Sequence, residues 1–285
     1  MSLACQSLIK SEITVSHVRN ILLFDALWLL PLGVFVGTVG TLIGAGGGFI
    51  LVPVLLLLYP NEAPATITTI SLIVVFFNAV SGSLAYARTK KIDYKTGVIF
   101  SLAAIPGSIF GAFATAAVKR QQFDLLFGSI LSLLSMLLLA RPARKSSVGQ
   151  SHRSLAENPP LGPAKLILGT LTSTGLGFLS SFLGIGAGFI YVPAFVYFLD
   201  FPILTATATS LFILSLMSLT GAATHILAGM LDHGMNLALV LSPGVICGAQ
   251  IGARLSRRIH AGWILRGLGL ALGLVGMRFV IAALR

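Results

Sequence analysis

The residues best suited to chemistry are glycines at two places in the chain, with neutral hydroxyl and amide groups near them. The chemistry they suit is the recognition of an anion. Gly44, Gly46, Gly47 and Gly48 lie in L-I-G-A-G-G-G-F-I-L-V-P, from Leu42 to Pro53. Gly184, Gly186 and Gly188 lie in F-L-G-I-G-A-G-F-I-Y-V-P, from Phe182 to Pro193, a second copy 140 residues on. A glycine-rich turn that opens a helix presents unpaired N–H groups at the positive end of the helix dipole, and such an end holds anions. Just downstream, Thr66, Thr68, Thr69 and Ser71 in one copy and Thr205, Thr207, Thr209 and Ser210 in the other offer hydroxyls. Of these, Thr69, Ser71, Thr209 and Ser210 are the expected contributors, since a hydroxyl can donate to an anion without a fixed charge. Asn78, His225 and Gln250 are the strongest polar groups inside apolar runs. Such groups face the protein interior in a bilayer, where they line a path or bond between helices. His225 is the titratable group deepest in a run, and it could relay a proton.

Each feature also has a purely structural use. Glycines let helices pack closely, and hydroxyls can bond back to their own helix carbonyls. Duplication of the motif, and the short apolar segments that follow it, favour a site. Two interrupted helices at matching places in two halves are the best sequence pointer to a transporter's substrate site. Other chemistry finds little support. Asp25, Asp93, Asp124 and Asp232 all stand near segment ends, so carboxylate-based coupling is not expected. There is no metal-ligand spacing, and no metal or cofactor is expected. Ser81 and Ser83 with His225 could be drawn as a nucleophile and base. However, Gly82 between the serines matches Gly221 in the second copy, which fits helix packing within the repeat.

The elements that must position these residues are membrane helices. The 285 residues are 56% hydrophobic and 9% charged, with a mean hydropathy of +0.96; soluble domains carry about a quarter charged residues. The net charge of +11 is scattered over short loops, unlike the clustered basic face that nucleic acid requires. Cys247 lies in an apolar run and is expected to be a small buried hydrophobe. Apolar runs fall at about 26–43, 48–60, 65–87, 96–118, 122–140, 164–183, 188–200, 203–230, 235–253 and 261–284. Most reach the ~20 residues that cross a bilayer. The runs from Gly48 and Gly188 are shorter and begin within the membrane.

The expected organisation is an all-α integral membrane protein of about ten transmembrane segments. An N-terminal extension over 1–25 precedes a first repeat over 26–140. A cytoplasmic linker over 141–163, with Asn158-Pro159-Pro160, leads to a second repeat over 164–285. Beyond the glycine motif, Ser71-Leu72 matches Ser210-Leu211, Asp93 matches Asp232, and Gly107 and Gly111 match Gly244 and Gly248. Placing both termini outside puts Arg88, Lys90, Lys91, Lys95, Arg141, Arg144, Lys145, Arg153, Lys165, Arg254, Arg257 and Arg258 on the cytoplasmic side, as the positive-inside rule asks. Five segments per half then make the repeats inverted.

The duplicated glycine motif resembles that of the TauE/SafE family of sulfite exporters, also called TSUP. So does S-G-S-L-A-Y-A-R-T-K-K-I-D-Y from Ser81 to Tyr94, followed by Pro106-Gly107 and Gly111. The resemblance runs from residue 30 to 284. It departs at Ala187, where the family often has glycine, and at Thr209, which adjoins Ser210 while Ile70 separates Thr69 from Ser71. The resemblance implies a carrier of sulfite, thiosulfate, organosulfonates or related small anions in a bacterial inner membrane. Export by alternating access is the expected mode, an anion channel is the alternative, and an intramembrane enzyme is the weakest reading. The glycine-rich faces could also pack a homodimer.

Overall fold

The computed structural model describes residues 28–140, 163–199, 201–231, 235–256 and 261–284. The extension over 1–25, almost all of the linker, and Asp232, Arg257 and Arg258 lie outside the described residues. Among those described there are ten helices and no strand. They are α1 (Trp28–Ile43), α2 (Gly48–Leu58), α3 (Pro64–Ala87), α4 (Tyr94–Ala117) and α5 (Arg120–Ala140) in the first half. In the second half they are α6 (Pro163–Leu183), α7 (Gly188–Phe198), α8 (Ile203–Leu227), α9 (Met235–Leu255) and α10 (Ala261–Leu284).

Local chemistry sets the boundaries. Pro64 starts α3, where a missing N–H costs nothing. Asp93 caps α4, its carboxylate accepting the Thr96 N–H at 3.2 Å. Positive φ at Gly44, Gly46 and Gly47, and again at Gly184 and Gly186, stops α1 and α6 and turns the chain. Helices α3, α4, α6, α8 and α9 contain stretches long and apolar enough to cross a membrane. At 11 residues each, α2 and α7 are about 16 Å long, half of a ~30 Å hydrocarbon core.

Helices α3 and α8 form the middle of the bundle and run antiparallel, with Thr69 beside His225 at one end and Gly82 against Leu211 further along. On one flank α4 runs parallel to α6, through Gly107 against Thr174, Gly111 against Phe178, and Thr115 donating to Phe182 O at 2.9 Å. On the other flank α1 runs parallel to α9, through Gly33 against Leu241, Gly248 against Val34, and Gly252 against Thr38. Outside these, α5 and α10 are antiparallel: Gln121 donates to Ala283 O at 2.8 Å and Ser135 to Gly269 O at 2.6 Å. Glycines at the α4–α6, α1–α9 and α5–α10 seams let backbones touch, the contact membrane helices rely on. The outer faces of α4, α6, α9 and α10 carry exposed apolar side chains such as Leu102, Phe110, Leu171, Leu239 and Leu274. Cys247 belongs with them: it is exposed, not buried, because it sits on the face of α9 turned away from α1 and α3.

The short helices fold back. Gly47 returns to lie against Gly40 and Val36 of α1, and Tyr191 of α7 donates to Ser173 of α6 at 3.0 Å. Each glycine turn is thus the tip of a helical hairpin. At one end of the bundle, Tyr86 donates to Ser256 at 2.8 Å and the Asp93 N–H to Thr209 at 3.0 Å. Arg88, Lys90, Lys91, Lys95 and Arg254 gather near that end. At the other end Thr66 donates to Met230 O at 3.3 Å, and Arg120 reaches Glu62 O at 2.7 Å.

Candidate functional site

The two glycine turns meet inside the bundle. A Cβ placed on Gly48 would lie 2.6 Å from Gly184 O and 2.7 Å from Ile185 C; one on Gly188 would lie 2.8 Å from Ala45 Cα and collide with Gly44 O. Each short helix therefore starts directly against the other turn's backbone, which only glycine permits. Gly46 and Gly186 both face Val75 of α3 and Leu214 of α8. All seven predicted glycines are buried.

Hydroxyls tie the crossing together reciprocally. Ser71 donates to Gly184 O at 2.6 Å, and Ser210 donates to Gly44 O at 2.7 Å. Each serine comes from the third helix of one half and holds the turn of the other half. Their protons are spent on carbonyls, so in this geometry they position the turns. Unspent donors remain on the backbone of the short helices. Helix α2 makes its first bonds from Ile50 and Leu51 to Gly47 O, and α7 from Ile190 and Tyr191 to Ala187 O. Among the described residues no hydrogen bond ends on the N–H groups of Gly48, Phe49, Gly188 or Phe189. These are the orphan donors of two helix N-termini.

The other predicted residues spread away from the crossing. Asn78 is fully buried on α3, its Oδ1 accepting from Thr41 at 3.1 Å, which places it beside the turn at the end of α1. Thr69 donates to Ala65 O at 2.6 Å and sits 3.0 Å from His225 Nδ1. His225 Nε2 lies 3.3 Å from Ser181 O. The imidazole, 0% exposed, joins α3, α6 and α8 on the far side of the crossing from Asn78. Thr209 is not part of the crossing. Its oxygen accepts the Asp93 N–H at the basic end, because it occupies the helix face next to the one that carries Ser210. Gln250 of α9 is half-buried and donates to Ser81 O and Oγ at 2.9 and 2.8 Å. Ser81 in turn donates to Ile246 O at 3.0 Å, so this serine belongs to the α3–α9 seam. Among the described residues no cluster of His, Cys, Asp or Glu could hold a metal ion.

Two residues that sequence reasoning missed stand in the last turn of α6. Ser180 and Ser181 are buried, and their hydroxyls lack partners among the described residues. The signal was present. Carried four residues upstream, the same repeat spacing sets Ser180 opposite Gly40 and Ser181 opposite Thr41.

Comparison with known proteins agrees in scale with this architecture. A family model described as Sulfite exporter TauE/SafE matches residues 29–279. The chain is 34% identical over 264 residues to YunE, a probable membrane transporter protein of Bacillus subtilis, covering 88% of this chain and 96% of that one. It is 26% identical over 271 residues to a probable membrane transporter protein of Methanocaldococcus jannaschii, covering 89% and 96%. A third such protein, from Xylella fastidiosa, is 26% identical over 229 residues, covering 80% and 84%. No solved structure gives a significant match.

Proposed function

Because the chain belongs to the sulfite exporter TauE/SafE family of membrane transporters, we propose that it carries a small sulfur-containing anion across the bacterial inner membrane. Sulfite, thiosulfate or an organosulfonate is the cargo class, and export by alternating access is the mode. The observation that carries this reading is the reciprocal crossing of the glycine turns. Two helix N-termini with unpaired N–H groups abut within an apolar interior, and the serines of opposite halves hold them there. Donors and dipoles so placed suit a negative charge far better than they would in water.

The helix directions support two halves of opposite sense. Helices at the same place in each half, α3 with α8 and α5 with α10, run antiparallel, and α1 pairs with α9 as α6 pairs with α4. Rocking one half against the other about such a crossing is the common route to alternating access. The basic loops around Arg88–Lys95 and Arg254 suit the cytoplasmic side, which favours both termini outside. The hairpin form of α1–α2 and α6–α7 leaves this assignment intact, since each hairpin enters and leaves on one side. With the cell interior negative, moving each negative charge outward is favoured by about 2.3 kcal/mol per 100 mV. Export therefore requires no coupling ion.

Flux of labelled sulfite from proteoliposomes, with and without an imposed voltage and with thiosulfate, sulfate and small sulfonates as competitors, tests the reading. Saturable, voltage-driven flux with a clear competitor order is the expected result. Correctly inserted protein that moves none of these anions would remove the sulfur-anion assignment.

A further inference from the structure

Three buried side-chain atoms have no hydrogen-bond partner among the described residues: Asn78 Nδ2, Ser180 Oγ and Ser181 Oγ. Asn78 is 0% exposed and each serine 1%. Unpaired polar atoms in apolar surroundings are costly, and folded proteins hold few. Ser180 and Asn78 each adjoin one of the glycine turns, and Ser181 O lies 3.3 Å from His225 Nε2, across the crossing from Asn78. Ser180 O accepts the Gly184 N–H at 2.9 Å, and Asn78 is bonded to Thr41, whose carbonyl accepts the Gly44 N–H at 3.2 Å. Asn78 comes from the first half and the two serines from the second.

The chemistry around the crossing is uniformly uncharged. Among the described residues the buried polar side chains are hydroxyls, one amide (Asn78) and one imidazole (His225), and no Lys, Arg, Asp or Glu is buried. Neutral donors attract an anion roughly in proportion to its charge, while stripping its water costs as the square of that charge. A second negative charge thus doubles the attraction and multiplies the desolvation cost about fourfold. A site for a dianion commonly balances this with buried guanidinium or ammonium groups.

Resting on the reading that the crossing carries a small sulfur oxyanion, we propose that the cargo is bound as a monoanion. Hydrogensulfite or a sulfonate fits, rather than the sulfite dianion or sulfate, with Asn78, Ser180 and Ser181 supplying side-chain donors. Selectivity then follows from charge state before shape, and it needs no cation in the protein.

The test uses the full chain in proteoliposomes with labelled sulfite, methanesulfonate and sulfate, over a pH range that brackets the second ionisation of sulfite. Methanesulfonate keeps one charge throughout, so it reports any titration of the protein, His225 included. The expected result is sulfite flux that falls as pH rises, in step with the monoanion fraction, beside flat methanesulfonate flux and negligible sulfate flux. Ser180→Ala and Ser181→Ala should each raise the half-saturating concentration roughly tenfold or more. Ser181→Thr, which copies Thr41, should retain most of the wild-type affinity. Sulfate carried as readily as methanesulfonate, or sulfite flux that tracks the dianion, would overturn the proposal and leave the carrier standing. Absence of flux for all three anions would sink the carrier reading instead. The pH series on the unaltered protein decides the matter even if a serine variant fails to fold.

Discussion

In the first glycine turn Gly47 leads into α2 at φ 84°, while in the second Ala187 leads into α7 at φ −76°. Gly40 lies directly against Gly47, and the repeat sets Ser180 opposite Gly40 as it sets Ala187 opposite Gly47. Elsewhere the backbones agree: φ is 79° and 77° at Gly44 and Gly46, and 69° and 71° at Gly184 and Gly186. The bonds that hold the turns agree too, at 2.7 Å from Ser210 and 2.6 Å from Ser71. The polar lining does not. Under the repeat, Asn78 aligns with Met217, Thr41 with Ser181, and Tyr86 with His225. The two halves share what shapes the crossing and differ in what could touch a ligand. Changes to the shared set should therefore cost the same in either half, and changes to the unshared set should not.

The largest effect is expected from Gly48→Ala and Gly188→Ala. Each new methyl would meet the opposing backbone, which has no flexible side chain to move aside. Overpacking of this kind costs on the order of 3 kcal/mol. Both variants should give little monodisperse protein in detergent, and to a similar degree. A well-folded Gly188→Ala beside a lost Gly48→Ala would show that the turns are not equivalent where they touch.

Ser71→Ala and Ser210→Ala come next. Each leaves a buried carbonyl without its donor, a loss of about 1–3 kcal/mol. Thermal unfolding in detergent should show matched decreases in Tm. Because the two serines hold one crossing from opposite sides, the double variant should depart from additivity by at least about 0.5 kcal/mol. Additive behaviour would mean that each turn is held independently.

The scaffold was far more legible than the lining, for a physical reason. A glycine run inside an apolar stretch has few structural solutions, so the starts of α2 at Gly48 and α7 at Gly188 could be read directly from sequence. Burial of Asn78 and His225 followed from the cost of polar groups in lipid. Which proton goes where did not follow. Ser71 and Ser210 looked like ligand donors, yet they bond across the halves, and nothing in sequence spacing reveals a partner 113 or 166 residues away. Thr209 looked like a neighbour of Ser210, yet a helix turns adjacent residues about 100° apart. Cys247 failed for the same reason: an apolar run does not say which of its faces meets the bundle.

A smaller effect should separate the far ends of the short helices. Arg120 caps the end of α2, donating to Leu56 O at 3.2 Å and Glu62 O at 2.7 Å while pairing with Asp124 at 3.0 Å. Helix α7 ends instead in an aromatic cluster, where the Phe195 ring lies tilted 5.6 Å from Phe201 and 5.7 Å from Phe100. Arg120→Gln should cost about 1 kcal/mol, since the pair is partly exposed. That loss should shrink in high salt, whereas the cost of Phe195→Leu should not. Salt-dependent unfolding of both variants checks this, and equal salt responses would count against two different end caps.

The smallest expected effect bears most directly on the difference between the turns. Ala187 adopts φ −76°, which any residue allows, so Ala187→Gly should cost only about 0.5–1 kcal/mol, through the greater freedom of the unfolded chain. The reverse change, Gly47→Ala, should cost more. It forces a side chain into the left-handed region, at roughly 1–2 kcal/mol, and sets a methyl 2.6 Å from Val36 Cγ1. If Ser180 is what keeps the second turn out of the left-handed form, adding Ser180→Gly to Ala187→Gly lets that turn settle as the first one does. The pair should then cost less than the sum of its parts, by about 0.5 kcal/mol or more in Tm-derived stability. Strict additivity would leave residue 187 alone as the origin of the difference, with Ser180 free of any structural duty in the turn.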